Sequence, residues 1–104
     1  MSVVVDLADL PERLREFDRG YLLTAKDGLV KAVSVRAAAE DGGLLVVAPG
    51  GGSLRNIGVN PAVTLLFPPL DDPGMTLLVD GTAAAEGDDI RVTPTSAVLH
   101  KPVA

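Results

Sequence analysis

The chain has no cysteine and no tryptophan, and its 104 residues include only one tyrosine, two phenylalanines and one histidine. The first absence excludes disulfides, thiolate nucleophiles and iron–sulfur ligation, and it suits a reducing compartment. With rings limited to Phe17, Tyr21 and Phe67, a flat ligand has few platforms to stack on and must rest on backbone and aliphatic contacts. Positive charge is also short. Nine Lys and Arg against fourteen Asp and Glu leave a formal net charge of −5, the wrong sign for a nucleic-acid partner. No segment reaches the roughly 20 apolar residues of a membrane helix. Met1-Ser2-Val3-Val4-Val5-Asp6 lacks the basic start of a targeting segment. These absences lead us to expect a cytoplasmic protein with neither nucleic acid nor membrane as partner.

What the chain does have is aliphatic surface: 47% of residues are hydrophobic and 22% charged, which is apolar for a domain of this size. One domain spanning residues 1–104 is expected, its core built from Val, Leu and Ala, with surplus apolar surface meeting a second subunit. Asp9-Leu10-Pro11-Glu12 predicts a helix capped by Asp9 and running to about Phe17, its stripe formed by Leu10, Leu14 and Phe17. Tyr21–Ala25 and Leu29–Arg36 read as two strands around an Asp27-Gly28 hairpin. In the second of these strands Val33 and Val35 form an apolar face, while Ala32, Ser34 and Arg36 give the other face small side chains and one cation. Four more strands are expected at Leu44–Ala48, Ala62–Phe67, Met75–Ala85 with a bend at Gly81, and Ile90–Thr93. Pro68–Gly74 must be a loop, and Thr95–Lys101 is read as one terminal helical turn. Short antiparallel strands at this spacing favour a closed barrel, which removes exposed edges.

The most informative stretch is Pro49-Gly50-Gly51-Gly52-Ser53-Leu54-Arg55-Asn56-Ile57, which leaves a buried-looking strand and runs into a short helix that Asn60-Pro61 ends. Glycines let a backbone approach a ligand closely. The first turn of a helix offers free N–H groups, and Arg55 adds a fixed positive charge. A phosphate suits that combination. The same residues also read as a plain connection in which Ser53 is a helix N-cap. The paired carboxylates Asp71-Asp72 and Asp88-Asp89 lie at turns with no histidine at ligand spacing, and they read as solvated turn residues rather than a metal site.

Taken in order, the Asp27-Gly28 hairpin, Ala32–Arg36, Leu44–Ala48, Ser53-Leu54-Arg55-Asn56-Ile57, Asn60-Pro61 before an apolar strand, and Asp80-Gly81-Thr82-Ala83 resemble the pyridoxamine 5′-phosphate oxidase-like family. The resemblance covers about Leu10 to Val92. It implies a mainly β fold: a six-stranded antiparallel split β-barrel with an N-terminal helix and a short helix after strand three. It further implies a homodimer, with flavin mononucleotide (FMN) or a deazaflavin between the subunits. Ser53, Arg55 and Asn56 would hold the cofactor phosphate, Val33-Ser34-Val35-Arg36 would lie along the ring edge, and Ala48-Pro49 would end a strand against it. Many members of that family carry a lysine or arginine at or just before the position of Ser53. This chain has Gly51 and Gly52 there, leaving Arg55 as the only cation of the loop. The chain also ends soon after its sixth expected strand, so oxidation of pyridoxamine phosphate itself is not expected.

Three functions remain open at this stage. The first is an oxidoreductase whose cofactor carries the hydride and which therefore needs no catalytic side chain. The second is a non-catalytic module holding a flavin or, through His100, a haem. The third is a dimeric barrel without a cofactor.

Overall fold

A computed structural model describes residues 1–102. The chain opens with β1 (Ser2–Val5), a 3-10 turn (Leu7–Asp9) and α1 (Leu10–Leu14). Four strands follow as two hairpins: β2 (Gly20–Lys26) with β3 (Leu29–Val35), then β4 (Ala37–Glu40) with β5 (Gly43–Val46). Helix α2 (Gly51–Val59) leads to β6 (Ala62–Phe67), β7 (Thr76–Glu86) and β8 (Asp89–His100). All neighbouring strands pair antiparallel in one eight-stranded sheet of order β3-β2-β6-β7-β8-β5-β4, with β1 added on β8.

The hairpins form where turn chemistry predicts them. Asp27 and Gly28 take φ of 52° and 77°, and Asp41 and Gly42 take 51° and 78°, the left-handed pairs that two-residue hairpin loops require. The two edges of the sheet, β3 and β4, are consecutive in the chain and separated by Arg36 alone. A flat sheet cannot place its first and last strands one residue apart, so the sheet must curl until its edges meet at that corner. The Val47 N–H donates to the Arg36 carbonyl at 3.1 Å across the join. The result is the curled, split barrel expected from the sequence. Its interior is aliphatic: Leu22, Leu65, Leu77, Val79, Ile90 and Val92 are fully buried.

Four local expectations are corrected. The N-terminal helix is capped one turn earlier than expected: the Ala8 N–H donates to Asp6 Oδ1 at 3.0 Å, whereas Asp9 makes no side-chain cap. Regular helix stops at Leu14, although the stripe of Leu10, Leu14 and Phe17 does pack on the core, with the Phe17 and Phe67 rings 6.3 Å apart. Eight strands form where six were expected. β1 is a Val-rich segment that gains structure only by pairing with the end of β8, and β4 is an alanine-rich strand held by β5. Residues Thr95–His100 are strand, not a helical turn, because β7 pairs with Ser96–His100 and β1 with Ala97–His100. Pro94 does not break β8: it lies opposite Gly81, where the register shifts by one residue. There the ladder is already interrupted, so the missing N–H is tolerated. The extra residue, Thr95, donates its hydroxyl to the Asp80 carbonyl at 3.2 Å.

Gly81 fits this bulge because a Cβ there would stand 2.6 Å from the Thr93 carbonyl oxygen and 2.7 Å from Val92 Cγ1. Gly81→Ala is expected to destabilise the fold by about 1–3 kcal/mol, the usual range for overpacking, measured by urea denaturation. A second prediction concerns Arg91, which bridges β8 to Glu86 (2.9 Å) and Glu40 (3.2 Å). Its hydrogen bond to Glu86 holds that carboxyl below the usual carboxylate range. A lowered carboxylate pKa stabilises the fold above its ordinary value and ceases to do so as pH falls through the shifted one. The melting-temperature gap between wild type and Arg91→Met should therefore be full at neutral pH and close in acid.

Candidate functional site

Helix α2 begins without a side-chain cap. Gly50 takes φ of 103° at the N-cap position and has no side chain to offer the first turn. The first intrahelical bond runs from the Leu54 N–H to the Gly50 carbonyl at 3.2 Å, so the N–H groups of Gly51, Gly52 and Ser53 have no partner within the helix. Sequence reasoning placed Ser53 at the cap, but the structure places it inside the first turn. Ser53 and Ile57, four residues apart, are the buried positions of α2. Ser53 is only 1% exposed, and its hydroxyl is the one buried side-chain polar atom among the described residues without a hydrogen-bond partner. An unpartnered buried hydroxyl costs about 1–3 kcal/mol.

A second stripe of α2 fixes it to the β2–β3 hairpin. Asn56 Nδ2 donates to the Thr24 hydroxyl at 2.9 Å, and Thr24 is buried in β2. Directly across the ladder from Thr24 is Lys31 of β3, on the same face of the sheet. Gly52, one turn before Asn56 on the same stripe, meets the Lys31 side chain: a Cβ built on Gly52 would fall on Lys31 Nζ, with Cε 3.3 Å away. Arg55 folds back over the same turn, placing Nη1 3.2 Å from the Cβ position of Gly51. Sequence reasoning missed Lys31. The hairpin register supplied the signal, since it pairs Lys31 with the residue that α2 touches.

The other expected site residues lie on β3, at its corner with β4 and at the exit of β5. Val35 belongs to the core, and Val33 packs against it. Ser34 lies on the open face of β3 and receives a hydrogen bond from Arg19 Nε at 3.0 Å. Arg36 is ion-paired with Asp18 at 2.6 Å. Ala48 has positive φ (40°), and its N–H donates to Asp89 Oδ1 at 2.8 Å, which pins the exit of β5 next to Pro49. Thus Ser53, Arg55 and Asn56 share one helix with the Lys31 ammonium beside them, Ala48 and Pro49 lead into that helix, and Ser34 and Arg36 are held by Arg19 and Asp18. His100 is elsewhere, at the end of β8 with Nδ1 3.3 Å from the Ser2 hydroxyl. No group of three or more His, Cys, Asp or Glu side chains able to hold a metal occurs among the described residues. Nor is any helix among them long and apolar enough to cross a membrane.

No protein-family model matches the chain. An uncharacterized protein of Mycobacterium bovis is 38% identical over 117 residues, covering 96% of this chain and 82% of its own length, and an uncharacterized protein of Mycobacterium tuberculosis matches to the same extent. Among solved structures, an FAD-binding protein from Mesorhizobium loti superposes with a TM-score of 0.75 at 17% identity, covering 95% of this chain and 96% of its own. The FAD-binding protein from Mycobacterium smegmatis gives 0.72 at 17% identity, covering 94% and 97%. An F420 reductase gives 0.69 at 23% identity, covering 83% and 94%. The chain belongs to the family of the two mycobacterial proteins, and it is built on the split-barrel fold of the pyridoxamine 5′-phosphate oxidase-like proteins.

Proposed function

We propose that the chain binds FMN or a deazaflavin through the cofactor phosphate at the start of α2, and acts as a cytoplasmic homodimeric oxidoreductase on a small molecule. The observation that carries this reading is the first turn of α2. Three backbone N–H groups there have no helical partner, the buried Ser53 hydroxyl has no hydrogen-bond partner, and the Arg55 guanidinium lies over Gly51. That set matches the needs of an anion bound at a helix N-terminus. The structural neighbours, two FAD-binding proteins and an F420 reductase, support a flavin-type ligand.

In this reading the backbone N–H groups of Gly51, Gly52 and Ser53 donate to the phosphate, and Arg55 neutralises its charge. Asn56 holds the helix in place through Thr24. Ala32 and Ser34 keep the open face of β3 free of bulk, and Arg19 fixes the Ser34 hydroxyl. The bound flavin or deazaflavin supplies the hydride acceptor or donor. The chain binds and orients that group and excludes water from it, so no nucleophile or proton-transfer residue is required of the protein. Haem finds less support: His100 is away from α2 and engaged with Ser2.

A lateral row of register partners on the outer face supports the homodimer. Tyr21, Leu66, Leu78, Val98 and Val4 stand side by side across β2, β6, β7, β8 and β1, with Tyr21 43% and Val4 81% exposed. Such a continuous apolar band on an outer face marks an interaction surface.

Two tests follow. In calorimetric titrations the wild-type protein should bind FMN or a deazaflavin saturably, and Arg55→Ala should weaken that binding about tenfold or more, the worth of one charge-assisted hydrogen bond. Absence of binding to either ligand contradicts the cofactor reading. In sedimentation, the wild type should run as a dimer and Leu78→Asp as a monomer; a monomeric wild type contradicts the homodimer.

A further inference from the structure

We propose that the outer face of β2, β6 and β7 carries a binding site for an organic ammonium, with Asp80 as its anchor and an aliphatic wall for the body of the ligand. The site lies on the opposite face of β2 from α2 and is independent of the phosphate reading.

A lateral row of register partners builds it. Leu23 stands opposite Thr64, Thr64 opposite Asp80, and Asp80 opposite Ser96, so these four side chains share one face of the sheet. Asp80 is held from both neighbouring strands: the Thr64 hydroxyl donates to Oδ1 at 2.6 Å and the Ser96 hydroxyl to Oδ2 at 3.4 Å. The bulge of β8 falls at the same place. Its extra residue, Thr95, bonds to the Asp80 carbonyl, and bulges re-aim side chains beside functional sites. A cavity of about 520 Å³ opens over this row, within the size range of small-molecule sites. Asp80, Thr64 and Thr95 contribute its polar lining, and Leu23, Ala25 and Val30 its apolar lining.

The charge balance indicates the class of ligand. No Lys or Arg lines the cavity, and Asp80 takes part in none of the ion pairs among the described residues. The carboxylate is therefore oriented by this chain but not neutralised by it. Two hydroxyls use two of its about four acceptor positions. The others face a charged donor, whose hydrogen bonds to a carboxylate are the strong ones. A metal ion is a poor occupant, because the lining holds no second carboxylate and no histidine. An ammonium on an aliphatic body satisfies both parts of the cavity: its charge meets Asp80, and its methylenes cover Leu23, Ala25 and Val30, the last of which is 70% exposed in the free chain.

The test titrates the wild-type protein calorimetrically at neutral pH with hexylamine, which is then an ammonium, and with hexan-1-ol and hexanoate, which carry a six-carbon chain without the positive charge. Circular dichroism and melting temperature establish that each variant is folded. Hexylammonium should bind about 10- to 100-fold more tightly than hexanol, and hexanoate should not bind. Affinity should rise roughly fourfold per methylene from butylamine to hexylamine. Asp80→Asn should abolish the preference for the ammonium over the alcohol. Thr64→Val should weaken that preference and Thr64→Ser should keep it, since the hydroxyl acts by orienting Asp80. Ala25→Leu, which fills the apolar part of the cavity, should weaken ammonium and alcohol alike. Equal binding of hexylammonium and hexanol, no binding of hexylammonium, or a preference that survives Asp80→Asn overturns the site. A wild-type dimer that dissociates in Asp80→Asn, seen by sedimentation, also overturns it, because the carboxylate then belongs to the subunit interface.

Discussion

One residue stands between the two edges of the sheet. Because β3 and β4 are separated only by Arg36, the sheet cannot lie open, and the rest of the architecture follows from that closure. Curling buries Leu22, Leu65, Leu77 and Ile90 inside the barrel. It also makes the chain carry α2 from β5, on one side of the sheet order, to β6 on the other. The helix that makes this crossing has one stripe, Ser53 and Ile57, turned into the protein, and another, Gly52 and Asn56, set against the β2–β3 hairpin. Its N-terminus is thereby fixed beside the strand that the barrel corner releases.

Electrostatics gives that position its meaning. The chain is acidic overall, yet Lys31 and Arg55 converge on the positive end of α2, where like charges repel and no carboxylate of the described residues pairs with them. Elsewhere cations are spent on structure: Arg36 joins the barrel corner to Asp18, and Arg91 ties β8 to Glu40 and Glu86. The contrast separates arginines that hold the barrel from Lys31 and Arg55, which make no ion pair among the described residues. Glycine at 51 and 52 leaves room for both cationic side chains.

Much of this was legible in the residues. Asp27-Gly28 set the first hairpin, Asn60-Pro61 ended α2, the prolines of 68–74 enforced a loop, and Gly81 marked where β7 meets the bulge of β8. Those are local signals, carried by backbone constraints of single residues. The misses share a non-local cause. β1 and β4 have no edge of their own and exist through β8 and β5. Thr95–Lys101 read as a helical turn because nothing local reveals that β8 continues past Pro94, which faces Gly81 across an interrupted ladder. Ser53 looked like a cap, but burial of the Ser53–Ile57 stripe drew the helix start back to Gly51 and left Gly50 at the N-cap. The approach of Lys31 to Gly52 escaped notice because it depends on which helix lies over the strand, which only the tertiary structure supplies.

The central claim is that the first turn of α2 receives the phosphate of a flavin-type cofactor. It is tested most directly by following the backbone amide resonances of the protein in proton–nitrogen correlation spectra as FMN is added. The account requires the largest saturable shifts at Gly51, Gly52 and Ser53, where the N–H groups face the phosphate. Spectra that stay unchanged, or shifts centred on another part of the barrel, would contradict it.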